Sequence, residues 1–165
     1  MTNNEIEFED IIGRYLTINI NNESYRIYVE ESGSGTPLIC LHTAGSDARQ
    51  FRHILNDKKI TANYRVIAFD LPWHGKSNPP EGFETKEYKL TTILYKQIIM
   101  SFCKAYNVNQ PVIMGCSMGG RVVLHLALEH SNFFRAVIAL EGADKLEPYY
   151  DLDWLYRPDV HGGLV

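Results

Sequence analysis

The chain has 165 residues, of which 45% are apolar and 22% charged, and 20 acidic against 16 basic residues leave a formal net charge of −4. That length allows one domain with a real core, and the balance is that of an ordinary soluble globular protein. No Lys/Arg cluster runs along it, so neither nucleic acid nor an anionic membrane surface is expected as a partner. The polar, acidic N-terminus MTNNEIEFED lacks the features of a secretory signal. No apolar run approaches the ~20 residues that span a bilayer. The three cysteines, Cys40, Cys103 and Cys116, have no C-x-x-C spacing and fit neither a disulfide framework nor a thiolate zinc site. A reduced, cytoplasmic protein without metal or cofactor is expected.

In chain order, the first structured region reads as a hairpin. Residues 15–20 and 25–29 both alternate in polarity, and Asn21-Asn22 punctuates them. Four short continuous apolar runs follow, at 37–41, 64–69, 111–114 and 136–140. Strands read this way when both faces are covered, as in a parallel sheet. Helical patterns lie between them. Ser46 or Asp47 can cap a helix that uses Phe51, Ile54 and Leu55. Leu90, Ile93, Leu94, Ile98, Phe102 and Ala105 recur at helical spacing, and so do Val122, Val123, Leu126 and Ala127. Residues 77–89, with Pro79-Pro80 and Gly82, read as a surface loop. The alternation predicts a doubly wound α/β sheet.

After the 111–114 run the sequence reads Gly115-Cys116-Ser117-Met118-Gly119-Gly120, and a helical pattern begins at once. Chance alone places G-x-S-x-G in roughly one chain in twenty of this length. The strand-to-helix context raises the odds, because a sharp turn there projects its central side chain clear of the sheet. Glycines flank it because larger residues would strike the adjoining strand and helix. Ser117 then stands at the carboxyl end of the sheet, where α/β folds bind ligands. Cys116, one residue earlier, is expected to point into the core.

Together with two further segments, this motif resembles the α/β-hydrolase superfamily over about residues 15–143. Leu41-His42-Thr43-Ala44-Gly45 is similar to the family's H-G-x-x oxyanion loop, and Asp70-Leu-Pro-Trp-His-Gly-Lys-Ser77 to its D-x-x-G-x-G-x-S loop. The resemblance implies Ser117 as nucleophile and the backbone N–H groups of Ala44 and Met118 as the oxyanion hole. Thr43 and Trp73 stand where the family usually has glycine, and Trp73 is expected near a pocket mouth.

In this family the order is nucleophile, acid, histidine, with the histidine after the last strand. None of the six histidines occupies that place, and His42 reads as a residue that orders its loop. Glu141 is a candidate triad acid or a solvated strand-end carboxylate, with the alternative acid lying beyond the C-terminus. The expectation is therefore residues 1–165 of an incomplete core, truncated after the sixth strand, with a cap segment beginning at about 145–165. Alone it would be inactive, and its uncovered 136–140 edge would favour self-association. The parent reads as a cofactor-independent serine hydrolase of esters, lactones or related small acyl compounds. A non-catalytic ligand-binding or scaffold protein with this fold is the alternative.

Overall fold

The computed structural model describes residues 8–86 and 89–142. The cap segment expected at about 145–165 lies outside them. Six strands form one sheet: β1 (Ile12–Ile20), β2 (Glu23–Ser32), β3 (Thr36–Leu41), β4 (Tyr64–Phe69), β5 (Val112–Cys116) and β6 (Ala136–Leu140). Their order is β1-β2-β4-β3-β5-β6. The β1–β2 hairpin is antiparallel and joins β4 antiparallel, whereas β4, β3, β5 and β6 run parallel. This is the mostly parallel α/β arrangement the alternating pattern predicts.

The hairpin closes on two residues, since Ile20 pairs Glu23. Asn21 and Asn22 both have positive φ, 51° and 65°. A two-residue turn of the I′ class requires this, and Asn tolerates it better than most side chains.

Along β3, β4 and β5 alternate residues enter opposite faces, so a continuous apolar run supplies two cores. On one face Ile39, Leu41, Ile67, Phe69 and Ile113 are buried together with Ile98, Ile99 and Phe102 of α3 (Thr92–Ala105) and Val122, Val123 and Leu126 of α4 (Met118–Glu129). On the other face Leu38, Cys40, Val66, Ala68, Val112 and Met114 pack with Ala48, Phe51 and Leu55. Each such fully buried Val, Leu, Ile or Phe contributes roughly 1.5–3 kcal/mol, which makes the central strands the stable part of the sheet.

The segment after β3 differs in detail from a single helix. Asp47 caps a 3-10 turn, Ala48–Phe51, which leads into α1 (Arg52–Asn56); Asp57 then caps the one-turn α2 (Lys58–Thr61). In α3 the buried face uses Tyr95, Ile98, Ile99, Phe102 and Cys103, while Ile93 is 66% exposed and Leu90 precedes the helix. The strict spacing of the apolar pattern hid this, because Ile93 stands in the first turn and turns away from the sheet. The 77–89 loop contains a short 3-10 turn, Phe83–Thr85.

Among the described residues β6 is the edge strand beyond β5. Val137 and Ala139 pack into the first core. Ala136, Ile138 and Leu140 are exposed on the opposite side. The edge is thus apolar and open on one face. No helix of the described residues is long and apolar enough to cross a membrane.

Candidate active site

Parallel pairing brings the carboxyl ends of β3, β4, β5 and β6 to one edge of the sheet, and three loops meet there. Ser117 follows β5 and has φ 51° and ψ −109°. That is a strained conformation for a residue with a Cβ, of the kind that clusters at reactive sites. Two hydrogen bonds hold it: its N–H donates to the Leu140 carbonyl at 2.9 Å, and its carbonyl accepts from the Arg121 N–H at 2.8 Å. Ser117 provides no side-chain cap for α4. Its hydroxyl is thus not drawn back onto the backbone, and the first-turn N–H groups of α4 face the sheet's carboxyl edge.

Close packing explains the flanking glycines. A Cβ on Gly115 would collide with the Gly119 carbonyl oxygen, so strand and helix could not approach as they do. A Cβ on Gly119 would sit 2.6 Å from the Leu41 carbonyl oxygen and 3.1 Å from that of His42. The first turn of α4 therefore rests directly on the end of β3, where Leu41 pairs Gly115. This contact brings Leu41 and His42, the residues that lead into the Thr43-Ala44 segment, against the start of α4.

The loop after β3 is held from both sides. The Thr43 N–H donates to Gln50 Oε1 at 2.9 Å, and the Ser46 N–H donates to the Thr43 carbonyl at 3.3 Å. Thr43's own amide is thereby occupied, and Ala44 is the next amide along. Gln50 was not singled out in the sequence, where nothing marks it as the partner of a loop amide seven residues earlier.

His42 is fully buried. Its Nε2 accepts from the Leu71 N–H at 3.1 Å, which assigns the proton to Nδ1, and Nδ1 donates to the Thr43 carbonyl at 2.8 Å. Burial holds its pKa below the ordinary 6.5, outweighing the opposing hydrogen bond to Thr43. The imidazole is thus neutral and bonded at both nitrogens. It ties the loop after β3 to the loop after β4, as the ordering role predicts, and has no free nitrogen for a reacting proton.

The Asp70–Ser77 loop is a latch of backbone acceptors. Asp70 Oδ1 accepts from the Ala48 N–H at 2.7 Å and Oδ2 from the Lys76 N–H at 2.7 Å. The Ser77 hydroxyl donates to the Asp70 carbonyl at 2.7 Å and accepts from the Tyr28 N–H at 2.8 Å. Gly75 has no room for a side chain beside the Asp70 carboxylate. The Asp, Gly and Ser of the motif are therefore structural. Trp73 lies in this loop with φ 69°, a left-handed conformation that glycine adopts without strain.

Glu141 follows Leu140, which pairs Cys116, so it stands at the same edge as Ser117, is exposed, and has φ 50°. Cys116 is half-buried rather than a core residue, because its strand neighbour Leu140 is 43% exposed and little among the described residues covers that face. Cys40 and Cys103 are buried, and desolvation pushes both thiols up to about 12. Sequence reasoning also passed over Arg121 Nε and His125 Nε2 on α4, both buried without a hydrogen-bond partner among the described residues. Among those residues no group of three or more His, Cys, Asp or Glu side chains could hold a metal ion.

Comparison with known proteins identifies the fold. The alpha/beta hydrolase fold family matches residues 36–159 of the chain. The uncharacterized hydrolase YugF of Bacillus subtilis is 32% identical over 167 residues, covering 92% of this chain and 58% of that protein. A 2-hydroxy-6-oxo-6-(2'-aminophenyl)hexa-2,4-dienoic acid hydrolase of Metapseudomonas resinovorans is 30% identical over 140 residues, covering 79% of this chain and 46% of that protein. Among solved structures, a thermophilic esterase from Thermogutta terrifontis superposes with a TM-score of 0.64 at 19% identity, over 75% of this chain and 44% of that one. At that identity the superposition speaks for the fold. The chain spans about half the length of these relatives.

Proposed function

Because this chain belongs to the alpha/beta hydrolase fold family, we propose that it forms the nucleophile-bearing part of a cofactor-independent serine hydrolase acting on small esters, lactones or related acyl compounds. The observation that carries the reading is Ser117 itself: a strained, uncapped serine at the strand–helix elbow, on the sheet's carboxyl edge. The Ser117 hydroxyl oxygen attacks the acyl carbon, and a tetrahedral oxyanion forms. The N–H groups of Ala44 and Met118 stabilise that charge, with the α4 dipole adding to the field. Collapse expels the alcohol and leaves an acyl-enzyme, which water then hydrolyses.

The proton needs a base. His42 is ruled out of that role by its two occupied nitrogens. We assign the base to a histidine outside the described residues, and the acid that orients it to Glu141 or to a residue likewise outside them. Free Cys40, Cys103 and Cys116 support a reducing, cytoplasmic compartment.

Labelling of the full-length protein with a fluorophosphonate probe tests the nucleophile. We expect one modified serine, Ser117, and no labelling of Ser117→Ala. Labelling that persists in the variant sinks the assignment, and a wild-type protein inert to the probe favours a non-catalytic ligand-binding scaffold.

A further inference from the structure

A cavity of about 390 Å³ lies under the tip of the β1–β2 hairpin, between the loop after β4 and the start of α3. It is large enough for a small organic ligand. Tyr25, Trp73, Leu90, Leu94 and Ile98 make its walls, and Glu23, Lys86 and Lys89 its charged rim. Ser117 is not among its lining residues.

Two features show what it would hold. The first is Trp73, a bulky side chain kept at φ 69°, where the chain could relax with glycine. Its ring stands edge-on to Phe83 with centroids 5.4 Å apart, so it forms a rigid aromatic wall. The second is the charge of the rim. Glu23 Oε1 accepts from Lys86 Nζ at 2.7 Å, and Glu23 Oε2 accepts from the Tyr25 hydroxyl at 2.6 Å. Glu23 and Lys86 thus neutralise each other, and these contacts hold the Glu23 carboxyl below its usual range. Among the described residues Lys89 has no such counter-charge, so the charged lining side chains Glu23, Lys86 and Lys89 carry one surplus positive charge beside an apolar interior.

We propose that this cavity binds a small apolar monocarboxylate, with its ring or short chain against Trp73 and Leu94 and its carboxylate at Lys89. The apolar walls supply the burial and Lys89 selects the anion. The site is separate from the Ser117 chemistry and stands whether or not Ser117 is a nucleophile.

The test is calorimetric titration of the full-length protein with phenylacetate and, in parallel, with neutral phenylacetamide. Saturable one-to-one binding of phenylacetate is expected, with the amide weaker by about five-fold or more, the worth of one partly exposed ion pair. Lys89→Gln should weaken the carboxylate by a similar factor and leave the amide unchanged. Trp73→Gly should weaken both ligands. Tryptophan emission should respond to phenylacetate in the wild type, and that response should be lost in Trp73→Phe. Binding must persist in Ser117→Ala; its loss there would locate the ligand at the elbow and overturn the proposal. Equal affinity for acid and amide, or carboxylate binding indifferent to Lys89→Gln, would also overturn it.

Discussion

The loops that leave β4 and β5 flank the same strand at the same sheet edge, yet they treat their polar side chains in opposite ways. After β4, the carboxylate of Asp70 and the hydroxyl of Ser77 are bonded to backbone groups, and His42 reaches across to Leu71. After β5, Ser117 is held by its backbone alone and caps nothing with its side chain. Buried polar groups that are satisfied add rigidity, whereas a polar group kept out of local bonding in a strained turn is available for chemistry. The first loop is a clamp, tied through His42 to the end of β3 on which the first turn of α4 rests.

The largest expected effect is therefore in the clamp. Asp70→Ala leaves the Ala48 and Lys76 N–H groups without their acceptor, and Ala48 is buried. A loss of about 2–4 kcal/mol is expected in urea unfolding. A loss below ~1 kcal/mol would mean that the loop keeps its path without the carboxylate, and the contrast with Ser117 would fail.

Next comes pH. Burial lowers the folded-state pKa of His42, so above 6.5 the ring is neutral whether folded or unfolded. Below that value the unfolded chain takes up a proton that the folded chain refuses. Stability is therefore fully present above 6.5 and falls with acidification toward the folded pKa, by up to about 1.4 kcal/mol per pH unit. His42→Gln, although less stable at neutral pH, should show a shallower slope between pH 6.5 and 5. Parallel slopes would show that His42 is freely protonated in the fold.

At the elbow the same reasoning predicts little cost. Ser117→Gly removes a side chain that makes no cap and relaxes a strained φ, while it raises the entropy of the unfolded chain. Thermal and urea unfolding should find stability within about 1 kcal/mol of the parent, on either side. A larger loss would mean that the Ser117 hydroxyl has a structural partner after all.

The smallest effect is expected at β6, where Ile138 is 40% exposed. Ile138→Lys should change the folding stability of this chain by no more than about 0.5 kcal/mol. We propose that the apolar edge self-associates, and the variant should reduce that association, read by sedimentation over a range of concentrations. Unchanged association would place the contact elsewhere.

Local chemistry made much of this legible. The Asn21-Asn22 turn, the four apolar strand runs and the strand-to-helix elbow each depend on residues adjacent in the chain, although the last run, β6, proved exposed on one face. The elbow glycines could be assigned from the turn alone, and the contacts of Gly115 and Gly119 supply the physical reason. Helix faces were less legible. Ile93 fits the apolar spacing of α3 but is exposed, since periodicity says which residues share a stripe and not where that stripe stops meeting the sheet. Cys116 is likewise half-buried because coverage of its face depends on what packs over β6.

The sequence by itself determined the element types, the hairpin, and Ser117 as the residue that an elbow would present, because each rests on φ preferences and side-chain period over a few residues. Only the tertiary structure decided that β2 lies against β4 and that Asp70 serves the Ala48 and Lys76 amides. It also engaged both nitrogens of His42 and made Trp73 a cavity wall. Those outcomes join groups far apart in the chain: His42 and Leu71 are 29 residues apart, and Val29 and Phe69, paired between β2 and β4, are 40 apart. Pairings at such separations are selected by the whole sheet, since a buried polar atom takes whichever partner the packing of the strands brings within reach.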